Sequence, residues 1–257
     1  MNRLLNNVEH EVAEMLDGYI AGCPEYFDRL EQSQVLIKKN LKDKVSVITG
    51  AGSGNEPWPI GYVGEGLADA CALGNVFAAP AARSILNAIR AVPHDKGVLC
   101  IVTNHAGDVL NFELVGELAE LEGIKTRRIY AADDVTSAPR NQKEDRRGIA
   151  GITLVLKIAA AAAEAGLCLD KVAEIAELAN QNIYTASVTT SPAYVLETGK
   201  MAYKLPDGMI EYGMGFNGET GVERTPLTSA NDVMDKVFSM VSADMDLQSG
   251  EEIADKY

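Results

Sequence analysis

Basic residues are scarce in this sequence. Lys and Arg number 23 against 37 Asp and Glu, which leaves a formal net charge of −14 over 257 residues. Nucleic acid and anionic membrane surfaces are recognised through clustered cations, so the balance argues against both as partners. Long apolar runs are missing as well, and none reaches the roughly 18 residues of a membrane helix. The amino terminus, MNRLLNNVEHEV, is polar and acidic within a few residues and does not read as a signal peptide. The four cysteines, Cys23, Cys71, Cys100 and Cys168, are scattered without metal-ligand spacing. Buried free thiols in a reducing cytoplasm are expected. His10, His94 and His105 share no metal-binding pattern either.

Glycine is plentiful, and it concentrates in Gly50–Gly66, GAGSGNEPWPIGYVGEG. This stretch follows Val45-Ser-Val-Ile-Thr49, an apolar β-branched run that reads as a buried parallel strand. A strand that empties into a glycine-rich turn brings backbone N–H groups to the carboxyl edge of a sheet, where open α/β folds bind ligands. A P-loop requires Gly-Lys-Ser/Thr, but Asn55-Glu-Pro57 stands there. A dinucleotide-binding turn runs straight into a helix, and Pro57 and Pro59 interrupt one. An ordinary strand-to-loop turn and a polyhydroxylated-ligand site both fit the run. Asn55 and Glu56 at its exit suit the ligand.

Along the chain, apolar spacing predicts an amphipathic helix over 4–22, then a polar connection to the strand 45–49. A short helix over 65–73, a brief strand at 75–77, a tight loop Ala78-Ala-Pro80 and a helix over 81–91 follow. Val98–Val102 reads as a central strand, Thr103–Asp108 as the loop at its end, Leu110–Leu121 as a helix and Lys125–Tyr130 as a strand. That is a βαβ unit with a right-handed crossover. A polar linker over 137–147 precedes helices over 148–165 and 169–181. Residues 185–190 read as strand-like, and 203–205 with 209–213 as a hairpin about Pro206-Asp-Gly208. A glycine loop, 216–221, and a helix near 230–242 complete the pattern. The fold class expected is α/β: a parallel or mixed sheet flanked by helices, with residues 1–182 as one subdomain and 183–257 as a smaller second one.

Taken together, the motifs resemble a known family. Gly50-Ala-Gly-Ser-Gly-Asn-Glu-Pro57 is similar to the GGGSGHEP loop of the substrate-binding subunit of dihydroxyacetone kinases. The pattern continues in Gly61-Tyr-Val-Gly64, in Asn104 with Gly107-Asp108, in Asp133-Asp-Val135 and in Arg146-Arg-Gly-Ile-Ala-Gly151. It ends in Gly215-Phe-Asn-Gly-Glu-Thr-Gly221, which is similar to the family's GIHGEPG. The resemblance implies a small ketose held between the loops of an α/β domain, in a cytoplasmic homodimer. It implies that ATP or ADP with Mg²⁺ belongs to a separate nucleotide-binding kinase subunit, and that this chain binds no cofactor or metal. By the same resemblance the substrate-contacting positions are Gly52, Ser53, Gly54, Asn55, Ala79, Thr103, Asp108 and Asn217, with Asp108 as general base. The polar stretch 247–252 resembles the lead into a further family strand, so the second subdomain looks incomplete.

Departures from the family are concentrated in its polar set. The histidine that bonds covalently to the substrate carbonyl falls at Asn217, a second pocket histidine at Asn55, a lysine at Thr103 and a serine at Ala79. An amide nitrogen is not a nucleophile, so Asn217 offers hydrogen bonds alone. Asp108, placed before a helix, also reads as a plain N-cap. His105, at the position of a family aromatic, reads as a surface or packing residue. Two functions stay open: a kinase subunit that presents a ketose, such as a tetrulose, without a covalent bond, and a non-catalytic sensor or co-activator. The loops 50–55, 78–80, 103–108 and 216–218 are expected to converge on one cleft.

Overall fold

Val47, Leu99 and Ile101 alternate along their strands with Ile48, Cys100 and Val102, and all six are buried. Successive strand residues face opposite sides, so a sheet carrying this pattern must be covered on both faces. The computed structural model describes residues 4–31, 33–195, 198–247 and 250–253. Its main sheet contains β1 (Phe27–Arg29), β2 (Val35–Lys38), β3 (Ser46–Ser53), β4 (Ala70–Val76), β5 (Val98–Thr103) and β6 (Thr126–Ala131). The strand order is β1-β2-β4-β3-β5-β6. β3, β4, β5 and β6 run parallel, while β1 and β2 pair antiparallel at one edge.

One face is covered by α1 (Glu11–Gly22), α4 (Ile152–Glu164) and α5 (Leu169–Gln181), through Leu16, Leu156, Val172 and Ala176. The other is covered by α2 (Ala82–Ala91) and α3 (Ala106–Leu121), through Ile85, Ile89, Phe112 and Val115. From residue 188 a separate sheet forms in the order β11-β10-β7, from β7 (Val188–Thr189), β10 (Met209–Tyr212) and β11 (Glu223–Pro226). The hairpin of β8 (Tyr194–Val195) and β9 (Lys200–Met201) lies between them in sequence. α6 (Ala230–Met245) closes the described fold, capped by reciprocal bonds between Ser229 and Asp232.

Several expectations need correction. Residues 65–73 are not a helix, because β4 begins at Ala70 and buries its first five residues in the sheet. Asp69 fixes that start, since its carboxylate accepts from the Val47 N–H and pairs with Lys38 and Lys44 at 2.7 Å each. Tertiary pairing outweighs the helix propensity of alanine. The connection over 24–44 carries β1 and β2, with Val35, Leu36 and Ile37 buried. β3 runs through Ser53, so most of the glycine run is strand. The first helix starts at Glu11, after a 3-10 turn whose Asn7 side chain accepts from the Glu9 N–H. Residues 203–205 do not pair with β10, whose two sides are occupied by β7 and β11. Cys71 and Cys100 are buried, but Cys23 is half-buried and Cys168 is exposed at the start of α5. Gln248 and Ser249 of the polar stretch 247–252 lie outside the described residues.

The carboxyl ends of β3 and β4 are held against the following loop by missing side chains. A Cβ at Gly52 would meet the Ala78 carbonyl oxygen at 2.7 Å, and one at Gly74 would meet it at 1.9 Å. Phe77 takes a left-handed φ of 58°, which turns the chain back over these glycines. Gly74→Ala is therefore expected to lower stability by about 1–3 kcal/mol. Gly18→Ala, in α1 with nothing within 4 Å of the added methyl, should raise it by about 0.5–1 kcal/mol. Urea unfolding of both variants checks this, and an unchanged midpoint for Gly74→Ala would show that the loop does not rest on the strand.

Candidate active site

The parallel strands deliver their carboxyl ends to a cavity of about 230 Å³. Gly52, Asn55, Ala79, Thr103, Asp108 and Asn217 all line it, together with Phe77, His105 and Phe216. The four segments expected to converge do meet there. Ser53 and Gly54 lie outside that lining. The Ser53 hydroxyl donates to the Gly74 carbonyl at 2.8 Å. The Gly54 N–H donates to the Glu56 carboxylate. Both residues shape the turn that carries Asn55. After it come two cis bonds, Glu56–Pro57 and Trp58–Pro59.

Asp108 is not the N-cap of α3. His105 holds that position, without a side-chain capping bond, and Asp108 sits in the first turn. Only 6% of Asp108 is exposed. Its Oδ2 accepts from the Thr103 hydroxyl at 2.9 Å, while its buried Oδ1 has no protein donor. Burial pushes the Asp108 carboxyl up to about 6, against smaller downward pulls from the Thr103 bond and from His105. A carboxylate that is desolvated, half-bonded and poised near neutral pH has the properties of a general base.

Opposite chemistry is concentrated in three residues from three loops. The Asn55 amide Nδ2 donates to Asn217 Oδ1 at 3.1 Å. Asn217 Nδ2 lies 3.0 Å from His105 Nδ1, and His105 Nε2 lies 2.9 Å from the Gly148 carbonyl oxygen. The His105 ring stacks on Phe216, with centroids 5.4 Å apart. His105 is thus a cavity residue rather than a surface one. Its place in the loop directly after a central strand was a usable signal, and its neighbour Asn217 is 112 positions away in the sequence.

The loop carrying Asn217 is held over the sheet by the paired acids and arginines. Buried Asp133 accepts from the Ile149 and Gly151 N–H groups, at 3.1 and 2.9 Å, and from the Thr185 hydroxyl. Its carboxyl is raised by burial. Asp134 pairs with Arg147 at 2.8 Å. Arg147 also donates to the carbonyls of Gly213 and Met214, at 2.7 and 3.2 Å. Arg146, fully buried, makes a two-pronged pair with Asp244 of α6. Among the described residues no group of three or more His, Cys, Asp or Glu is placed to hold a metal ion. Nor is any helix long and apolar enough to cross a membrane.

Residues 17–255 match the Dak1 domain family. The chain is 40% identical, over 98% of its length and 77% of the relative's, to the dihydroxyacetone-binding subunit DhaK of the PTS-dependent dihydroxyacetone kinase 2 of Listeria innocua. It superposes on the crystal structure of the dihydroxyacetone kinase from C. freundii in complex with AMP-PNP and Mg²⁺ with a TM-score of 0.87 and 34% identity. That match covers 94% of this chain and 45% of the other, so the chain spans less than half the length of that kinase. It is also similar to the dihydroxyacetone kinase operon co-activator Dha-DhaQ, with a TM-score of 0.84 and 30% identity over 90% of this chain and 71% of that one. With the glycine run, the loop bearing Asp108 and the paired Asp-Arg anchors converging on one cavity, the chain belongs to the Dak1 domain family, whose members include the dihydroxyacetone-binding subunits of dihydroxyacetone kinases.

Proposed function

We propose that this chain is the substrate-binding subunit of a phosphotransferase, presenting a hydroxyl of a small ketose to a donor carried on a separate nucleotide-binding subunit with Mg²⁺. The observation that carries the reading is Asp108, a buried carboxylate with one unpaired oxygen, lining a cavity of small-sugar size. In the reaction the substrate O–H proton passes to the Asp108 carboxylate, and the oxygen forms its bond to phosphorus as the donor leaves. Glycine backbone at Gly52 and the amides of Asn55 and Asn217 hold the rest of the ketose, with Ala79 and Thr103 shaping the wall. Asn217 stands where the family histidine attacks the carbonyl, so the substrate is held without a covalent bond. A tetrulose or a branched ketotetrose suits this altered pocket. In this reading residues 1–182 and 183–257 are two subdomains of one cytoplasmic protein that works as a homodimer.

A second reading is a ligand-sensing co-activator, favoured by the similarity to Dha-DhaQ. A panel of ketoses assayed with the nucleotide-binding subunit and ATP separates the two. Turnover on any ketose supports the kinase reading. Ligand binding without turnover supports the sensor.

Asp108→Asn is expected to lower turnover by about 10²–10⁴-fold. The same variant has a pH signature in stability. A carboxyl raised to about 6 in the folded chain contributes stability that is complete below about pH 4 and is lost as pH rises through 6. The stability of Asp108→Asn minus that of the unsubstituted chain should therefore grow by up to ~3 kcal/mol between pH 4 and pH 8. A difference that stays flat in urea titrations would remove the buried-base argument. Intact-protein mass spectrometry with dihydroxyacetone should show no adduct on the unsubstituted chain. Asn217→His should restore a nucleophile, read as the added mass of one ketose. An adduct on the unsubstituted chain mapping to residues 215–221 would overturn the account of Asn217.

A further inference from the structure

The Gly148 carbonyl can only accept a hydrogen bond, and this sets a direction for the polar wall of the cavity. His105 Nε2, 2.9 Å away, must donate to it. In a neutral imidazole that leaves Nδ1 as an acceptor. Asn217 Nδ2, 3.0 Å from Nδ1, must then donate, which turns Asn217 Oδ1 towards Asn55. Asn55 Nδ2 donates to that oxygen at 3.1 Å. The open end of the relay is the side-chain oxygen of Asn55, Oδ1, which receives no protein donor among the described residues, whereas the backbone oxygen of Asn55 accepts from the Trp58 N–H. One backbone carbonyl thus fixes the orientation of two otherwise flippable amides.

From this we infer that His105 is a specificity-determining positioning residue, which locks Asn217 and Asn55 as a directional relay whose open end accepts a ligand hydroxyl. Without Nδ1, the Asn217 amide is free to face either way, and Asn55 with it. The exposed group is then a donor as often as an acceptor, and a hydroxyl is no longer favoured over a carbonyl at that point. Glu219 also faces the ring, with Oε1 3.4 Å from Nδ1, and Arg147 lies 3.9 Å from the other oxygen of that carboxylate. Asp108 is near enough for His105 to lower its pKa. The competing arrangement is an Nδ1–H donated to Glu219, which would reverse or break the relay.

The relay stands on geometry alone, whereas its effect on selectivity rests on the ketose reading above. The test therefore has two arms on the full chain. Imidazole ¹⁵N resonances at pH 8, with His105 identified by its loss in His105→Phe, should show the Nε2–H tautomer. The Nδ1 resonance should move in Asn217→Ala, where its donor is gone. A protonated Nδ1, or no movement, overturns the relay. In the second arm, calorimetry compares dihydroxyacetone with hydroxyacetone, which lacks one hydroxyl. The preference for the former should fall about three- to tenfold in His105→Phe, which keeps the stack on Phe216 but loses one directed hydrogen bond. An undiminished preference in His105→Phe overturns the assignment. Binding of neither ketone to the unsubstituted chain overturns the ketose reading and the selectivity claim, and the resonances alone then decide the relay.

Discussion

The ion pair of Arg147 with Asp134 is the joint on which the cavity depends. Asp134 is completely buried, and an uncompensated buried carboxylate is far more costly than a paired one. Its Oδ1 accepts the N–H and hydroxyl of Thr136, and its Oδ2 faces the Arg147 guanidinium. The same guanidinium satisfies the carbonyls of Gly213 and Met214, two residues that leave β10 towards Asn217. Such a pair contributes little net stability over an apolar replacement. It contributes position, because the arginine cannot leave without orphaning one acid and two carbonyls together. Asp133, one residue earlier, binds the backbone that leads into α4 and the hydroxyl of Thr185. The chain from 185 onwards is thereby moored to the carboxyl edge of the main sheet, and the cavity exists only while it is.

The opposite wall is built by subtraction. Gly52 and Gly74 leave no side chain, and the backbone of Ala78 and Ala79 fills the space. A wall made this way offers shape and little side-chain polarity. Thr103 adds little to it, since its hydroxyl is already committed to Asp108. The polar side chains of the cavity are therefore concentrated in two places, the Asp108 carboxylate and the hydrogen-bonded set of Asn55, Asn217 and His105. Changes at either place have few neighbours to buffer them.

Much of this was legible in the sequence. The continuous run Val98–Val102 and the helix over 169–181 were readable because period and length agree with burial. The stretch 65–73 was misread because alanine, the best helix former, here fills a strand covered on both faces, where only the pairing partners at Val35–Ile37 and Ile48–Gly52 decide the conformation. The hairpin assigned about residues 206–208 failed for a similar reason: a turn signal is local, but β10 found its partners further off, Thr225 lying 15 residues after Ile210 and Val188 lying 24 residues before Tyr212. The cavity loops were legible through family resemblance rather than through periodicity. His105 was missed despite its place directly after a central strand, because its hydrogen-bond partners, Gly148 and Asn217, are both distant in the chain and neither is titratable.

The replacements that the motif resemblance implies in the polar set have a common physical direction. In the family that the motifs resemble, an ammonium stands at the position of Thr103, and a cation beside a carboxylate holds its pKa down. Here Thr103 supplies one neutral hydrogen bond, burial dominates, and Asp108 rises to about 6. A carboxylate with that pKa takes a hydroxyl proton more readily than one held below the ordinary range. The same exchange removes a charge that would stabilise phosphoryl oxygens in the transition state. On the reading proposed above, directed hydrogen bonds at Asn217, which discriminate by a few fold each, take the place of a covalent bond that would select carbonyl compounds outright. On that reading the base is kept while the nucleophile is given up, and catalysis rests on Asp108 and on the partner that carries the donor.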